Sequence, residues 1–87
     1  MENQESHLIY AFPRIPGEEV QIAIRKYKDK LYIDVRVWYQ AKNEADLRPT
    51  KKGVTIAMDR LPELRKGIDR LSKVVEKFHV EEEPIPA

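Results

Sequence analysis

Cysteine is absent from this 87-residue chain. That excludes disulfides and thiolate-held metals and fits an intracellular protein. No apolar run approaches the roughly 20 residues that cross a bilayer as a helix. The opening MENQESH is polar and acidic, unlike a secretory leader. Histidine occurs only as His7 and His79, near opposite ends, with no partner residues spaced to complete a metal site. Ser6 and Ser72 are the only serines, and no candidate nucleophile or carboxylate pair stands beside a base. Lys51, Lys52 and Gly53 resemble the tail of a phosphate-binding loop, but its first glycine and its following Ser/Thr are missing. Enzymatic chemistry therefore has no positive support, and neither metal nor cofactor is expected. A chain of this length makes one domain at most, with a modest core that oligomerisation commonly supplements.

Charge is plentiful but unevenly placed. The net charge of +1 conceals a basic middle: residues 20–53 hold nine Lys/Arg against four Asp/Glu, a net +5. Residues 1–19 carry −3, residues 54–78 carry +2, and the last nine carry −3. A basic centre between acidic ends points to a polyanionic ligand for the centre.

The pattern of apolar residues predicts an α+β domain. Residues 1–6 show no periodicity, and 7–12 (HLIYAF) suggest a short strand before the breaks at Pro13, Pro16 and Gly17. Val20, Ile22 and Ile24 alternate with Gln21, Ala23 and Arg25 as in a half-buried strand. Lys28, Asp29 and Lys30 read as a hairpin loop, with Asp29 suited to a left-handed conformation. From Leu31 to about Gln40 a second strand sends Leu31, Ile33, Val35 and Val37 to one face and Tyr32, Asp34, Arg36 and Trp38 to the other. Residues 41–50 read as a polar loop and 53–57 as a last short strand. Over 58–78, Leu61, Leu64, Ile68, Leu71, Val75 and Phe78 recur every three or four residues, the stripe of an amphipathic helix. Val74 lies beside that stripe, and one sheet cannot cover it all; a second copy packed helix against helix would, so a homodimer is expected. The expected organisation is a partly ordered segment at 1–19, a domain at 20–78 and an acidic tail at 79–87.

Arg25, Tyr27, Lys28 and Lys30, then LYIDVRVWY (31–39), then RPTKKGVTI (48–56), resemble the C-terminal domain of the transcriptional positive cofactor four family. The likeness runs almost continuously over residues 20–78. It implies a strongly curved antiparallel sheet of about four strands followed by one helix, dimerising through the helices. It also implies a coactivator-like protein that binds single-stranded DNA in transcription or other DNA transactions, in the cytoplasm or nucleoid of a bacterium or the nucleus of a eukaryote. Carried over position by position, Arg25, Lys28, Lys30, Arg36, Arg48, Lys51 and Lys52 would hold phosphates. Tyr27 would stack on bases, with Trp38 or Tyr39 as a second platform. The family often has glycine where this chain has Asp29, and the 40–47 loop is about one residue longer than in eukaryotic members.

The residues support that chemistry independently. Cations holding a backbone while flat rings stack on splayed bases is how single strands are gripped. Against it, lysines on an edge hairpin can simply deter aggregation, and a lone Trp is usually core. Trp38 shares its face with Asp34 and Arg36 opposite four aliphatics, which favours a ligand-facing ring; Tyr39 has the opposite parity. Asp34 is out of place on a phosphate-binding face and is expected to position Arg36 or Arg25 through an ion pair. Single-stranded RNA fits the same groove chemistry. A module docking on transcription machinery through its helix or sheet edge is the remaining alternative. The acidic tail could compete with DNA for the basic centre.

Overall fold

The computed structural model describes residues 5–78, with side chains from Ser6 onward. The expectations for residues 1–4, His79 and the acidic tail lie outside the described residues. Four strands, β1 (Glu5–Pro13), β2 (Glu18–Tyr27), β3 (Lys30–Gln40) and β4 (Leu47–Ala57), form one open, curved antiparallel sheet in the order β1-β2-β3-β4. A single 3-10 turn, Met58–Arg60, leads into helix α1, Leu61–Val75. The expected fold class is therefore the observed one, although only one copy is present and dimerisation is not seen.

The strand boundaries differ from expectation at three places, each for a local reason. The loop between β2 and β3 is two residues, not three: Lys28 and Asp29 both have positive φ (52° and 67°), while Lys30 already pairs with Tyr27 in the ladder. Two consecutive left-handed residues make the turn whose twist suits a tight hairpin. The first strand is longer than 7–12, because backbone pairing with β2 continues through residues whose side chains show no alternation. The largest difference is in β4, which begins at Leu47 and so includes Arg48, Pro49 and Thr50, expected in a loop. Arg36 pairs with Gly53 and Trp38 with Pro49, leaving Thr50, Lys51 and Lys52 bulged out opposite Val37 alone. The bulge hides the strand's period from a sequence reading. Its ladder bonds are replaced by the Thr50 hydroxyl, which donates to the Val37 carbonyl (2.8 Å) and accepts from the Lys52 amide (3.1 Å). Gly53 beside it is required by close approach: a Cβ there would lie 2.7 Å from the Val35 carbonyl oxygen and 2.9 Å from Arg36 Cα.

The register separates two faces. Val20, Ile22 and Ile24 stand across from Val37, Val35 and Ile33, and Val35 and Ile33 from Val54 and Ile56. A second irregularity in β1, between Leu8 and Tyr10, changes its parity, so Tyr10 and Phe12 pair with Ile22 and Val20 on this aliphatic face. The opposite face holds Arg25, Tyr27, Lys30, Tyr32, Asp34, Arg36 and Trp38. Only Ala23 and Ile33 among the described apolar residues are buried. The helix, expected over 58–78, is regular from Leu61 to Val75 and buries none of its residues. Its stripe stays open: Leu71 is 63% exposed and Ile68 53%.

Candidate nucleic-acid interface

The polar face is organised around Asp34. It is 3% exposed, and burial of a charge is tolerated only when its oxygens are occupied. The Arg36 guanidinium supplies two bonds, from Nε to Oδ2 (3.1 Å) and from Nη2 to Oδ1 (3.0 Å). The Thr55 hydroxyl, brought opposite by β4, donates to Oδ1 at 2.7 Å. Arg25 Nη1 from β2 stands 3.9 Å from the same oxygen. Burial pushes the Asp34 carboxyl up, but the Arg36 and Thr55 hydrogen bonds and the charges of Arg36 and Arg25 outweigh it and hold the group below its ordinary value. The hydrogen bond to Asp34 in turn raises Arg36. The ion-pair role expected for Asp34 is thus present, and it joins three strands.

Arg36 extends this network into the bulge. Its Nη1 donates to the Thr50 carbonyl at 3.0 Å, so its guanidinium is largely spent inside the protein. Arg36, to which the family resemblance assigns a phosphate, thus also holds the carboxylate and the bulge that carries Lys51 and Lys52. Those two lysines are exposed. Lys52 also borders the cavity lined by Val20, Val35 and Val37 on the aliphatic face.

The other expected residues divide between the faces. Arg25, Tyr27, Lys30 and Trp38 come together on the polar face, with Lys28 at its hairpin end. Lys28 Nζ sits 5.4 Å from the centre of the Tyr27 ring, a cation–π distance. Tyr39 pairs with Glu18 and Arg48 on the aliphatic side, so it does not join Trp38. Arg48 makes a bidentate pair with Glu44, both bonds 2.7 Å. Sequence reasoning missed Thr50, Thr55 and Ser6. Only the register reveals them: Thr55 faces Asp34, and Ser6 faces Arg25. A polar Thr between Val54 and Ile56 was the available signal for Thr55.

Together these features define a small open-sheet module with a basic–aromatic face built around a neutralised carboxylate. The family model for Transcriptional Coactivator p15 (PC4) matches residues 15–67, more than half of the chain, and the chain belongs to that family of DNA-binding, coactivator-like proteins. Among solved structures, the chain is similar to BPSL1147, a PC4 homolog from Burkholderia pseudomallei K96243. In the tetragonal crystal form the TM-score is 0.70 at 24% identity, covering 78% of this chain and 98% of that one. It is also similar to the bacteriophage T5 homolog of PC4, with a TM-score of 0.56 at 19% identity over 86% of this chain and 81% of that one. At such identities these structures establish the fold. No described helix is long and apolar enough to cross a membrane.

Proposed function

We propose that the protein binds single-stranded DNA with little sequence preference, acts by binding rather than catalysis, and serves transcription or another DNA transaction that exposes single strands. The observation that carries this reading is the shared face of Arg25, Tyr27, Lys30 and Trp38, flanked by Lys28 and the bulge lysines, in a chain of the PC4 family. The cations hold phosphates, and Tyr27 and Trp38 stack on bases, each worth about 1–3 kcal/mol. Phosphate and stacking contacts carry little base information, hence the weak preference. The T5 relative is described as implicated in recombination-dependent DNA replication, which agrees with a role wherever strands are separated. The working unit is a homodimer, since the helix stripe and the aliphatic face are too open for a lone subunit. Its place of action is the compartment that holds the DNA, the cytoplasm and nucleoid of a bacterium or the nucleus of a eukaryote.

Fluorescence anisotropy with a labelled mixed-sequence oligonucleotide, single-stranded and then duplex, tests the reading across a salt series. Binding should favour the single strand, with a log–log salt slope of about −3 to −4 for four to six neutralised phosphates. A slope near zero or a preference for duplex would refute it. An RNA competitor of the same sequence that displaces the DNA at lower concentration would move the assignment to RNA.

A further inference from the structure

The polar face contains a cavity of about 150 Å³ whose lining comes from four successive rungs of the sheet. One end is the Ser6–Arg25 pair, the floor is the Ala23–Asp34 pair with Arg36, and the other end is Trp38 facing Pro49. We propose that this cavity is a subsite for one single-ring nucleobase, a pyrimidine of the bound strand; the proposal rests on the single-strand reading above.

Size makes the first selection. A dry cavity of about this volume accommodates a benzene-sized ring, whereas whole drug-sized ligands need about 300 Å³ or more. A pyrimidine enters, while the fused rings of a purine must remain above the mouth. Chemistry makes the second. The floor carries the Asp34 carboxylate, whose oxygens are occupied by Arg36 and Thr55, and Arg36 in turn is committed to Asp34 and the Thr50 carbonyl, so the floor offers a phosphate few donors. The indole of Trp38, the ring of Pro49 and the methyl of Ala23 suit a flat neutral ring. At the far end, Ser6 and the one-third-exposed Arg25 bring donors to ring carbonyls, which both thymine and cytosine carry at O2. Phosphates then stay with the cations around the rim while one base in each register drops between Trp38 and Arg25.

The test compares anisotropy titrations of oligo-dT and oligo-dA of equal length with the wild-type protein, Ala23→Leu and Ser6→Leu. Ala23→Leu fills the floor; Ser6→Leu narrows the end from an exposed edge-strand position and serves should the first variant fail to fold by circular dichroism. Wild type should bind oligo-dT about five-fold more tightly, the low end of one base's stacking. Each folded variant should bring oligo-dT down to the affinity of oligo-dA and leave oligo-dA unchanged. A ratio that persists in the filled variants overturns the subsite, because the preference then belongs to the oligonucleotides' own stacking. An equal loss for both also overturns it, because the cavity is then only structural. Wild-type protein that binds neither oligonucleotide fails the single-strand reading itself, a distinct result.

Discussion

The two faces of the sheet are made by the same strands and differ in how far one chain completes them. On the polar face, Asp34, Arg36, Thr55 and Thr50 satisfy one another across β3 and β4, with Arg25 close by on β2. No buried side-chain polar atom among the described residues lacks a partner. On the aliphatic face, and along α1, apolar side chains outnumber what the chain can cover: Val54 is 49% exposed and Leu61 45%. Polar groups must be paired at short range, so the sequence supplies their partners within the strand network. Apolar surface only has to leave water, and a second molecule serves as well as the first.

The contrast can be broken most severely at the helix. Ile68→Glu with Leu71→Glu should turn a sedimenting dimer into a monomer, since charges on the stripe cannot be buried unpaired. A wild-type protein that sediments as a monomer at micromolar concentration would show the open face to be tolerated as it is. Next in size, Asp34→Ala should cost about 3 kcal/mol in urea unfolding, because it leaves Arg36 and Arg25 facing each other without their anion. A milder form of the same change is acid. The folded-state pKa of Asp34 is depressed, so its contribution is complete above the ordinary carboxylate value and is lost as pH falls below about 4. Asp34→Asn should flatten that acid limb; an unaltered limb would assign it to other carboxylates. Gly53→Ala should cost about 1–3 kcal/mol by forcing β4 away from the Val35 carbonyl, with the bulge lysines displaced along with it.

The smallest effect is the most discriminating. Gly67 lies three residues after Leu64 and four before Leu71, on the apolar stripe, and beyond the adjoining helix backbone no atom of the described residues comes within 4 Å of where a Cβ would be. In the doubly charged monomeric variant, Gly67→Ala should stabilise the helix by about 1 kcal/mol. In the otherwise wild-type protein the gain should shrink or reverse, because a partner helix crossing at that point has no room for the methyl. Equal gains in both backgrounds would place the helix crossing elsewhere.

Much of this was legible in the residues because strands with one polar and one apolar side declare their period. The alternation from Leu31 to Trp38 placed Asp34, Arg36 and Trp38 on a common face, and the helix stripe was plain from Leu61 onward. The β4 bulge was not legible. Three residues standing against Val37 alone break the alternation, so Arg48 to Thr50 read as loop, and the parity of Lys51 and Lys52 could not be assigned. The β1 irregularity likewise conceals that Tyr10 and Phe12 belong with the aliphatic face while Ser6 belongs with Arg25.

The sequence by itself determined the element types, the basic middle and the excess of apolar surface, since these follow from composition and local period. It also determined that Asp34 needed a cation, since a carboxylate among strand residues must be neutralised. Only the tertiary structure decided which groups meet. Register set Thr55 against Asp34, joined Arg36 to the bulge, and put Arg48 on the side away from Trp38. Those outcomes depend on how neighbouring strands slide and bulge against one another, which a single strand's own residues do not encode.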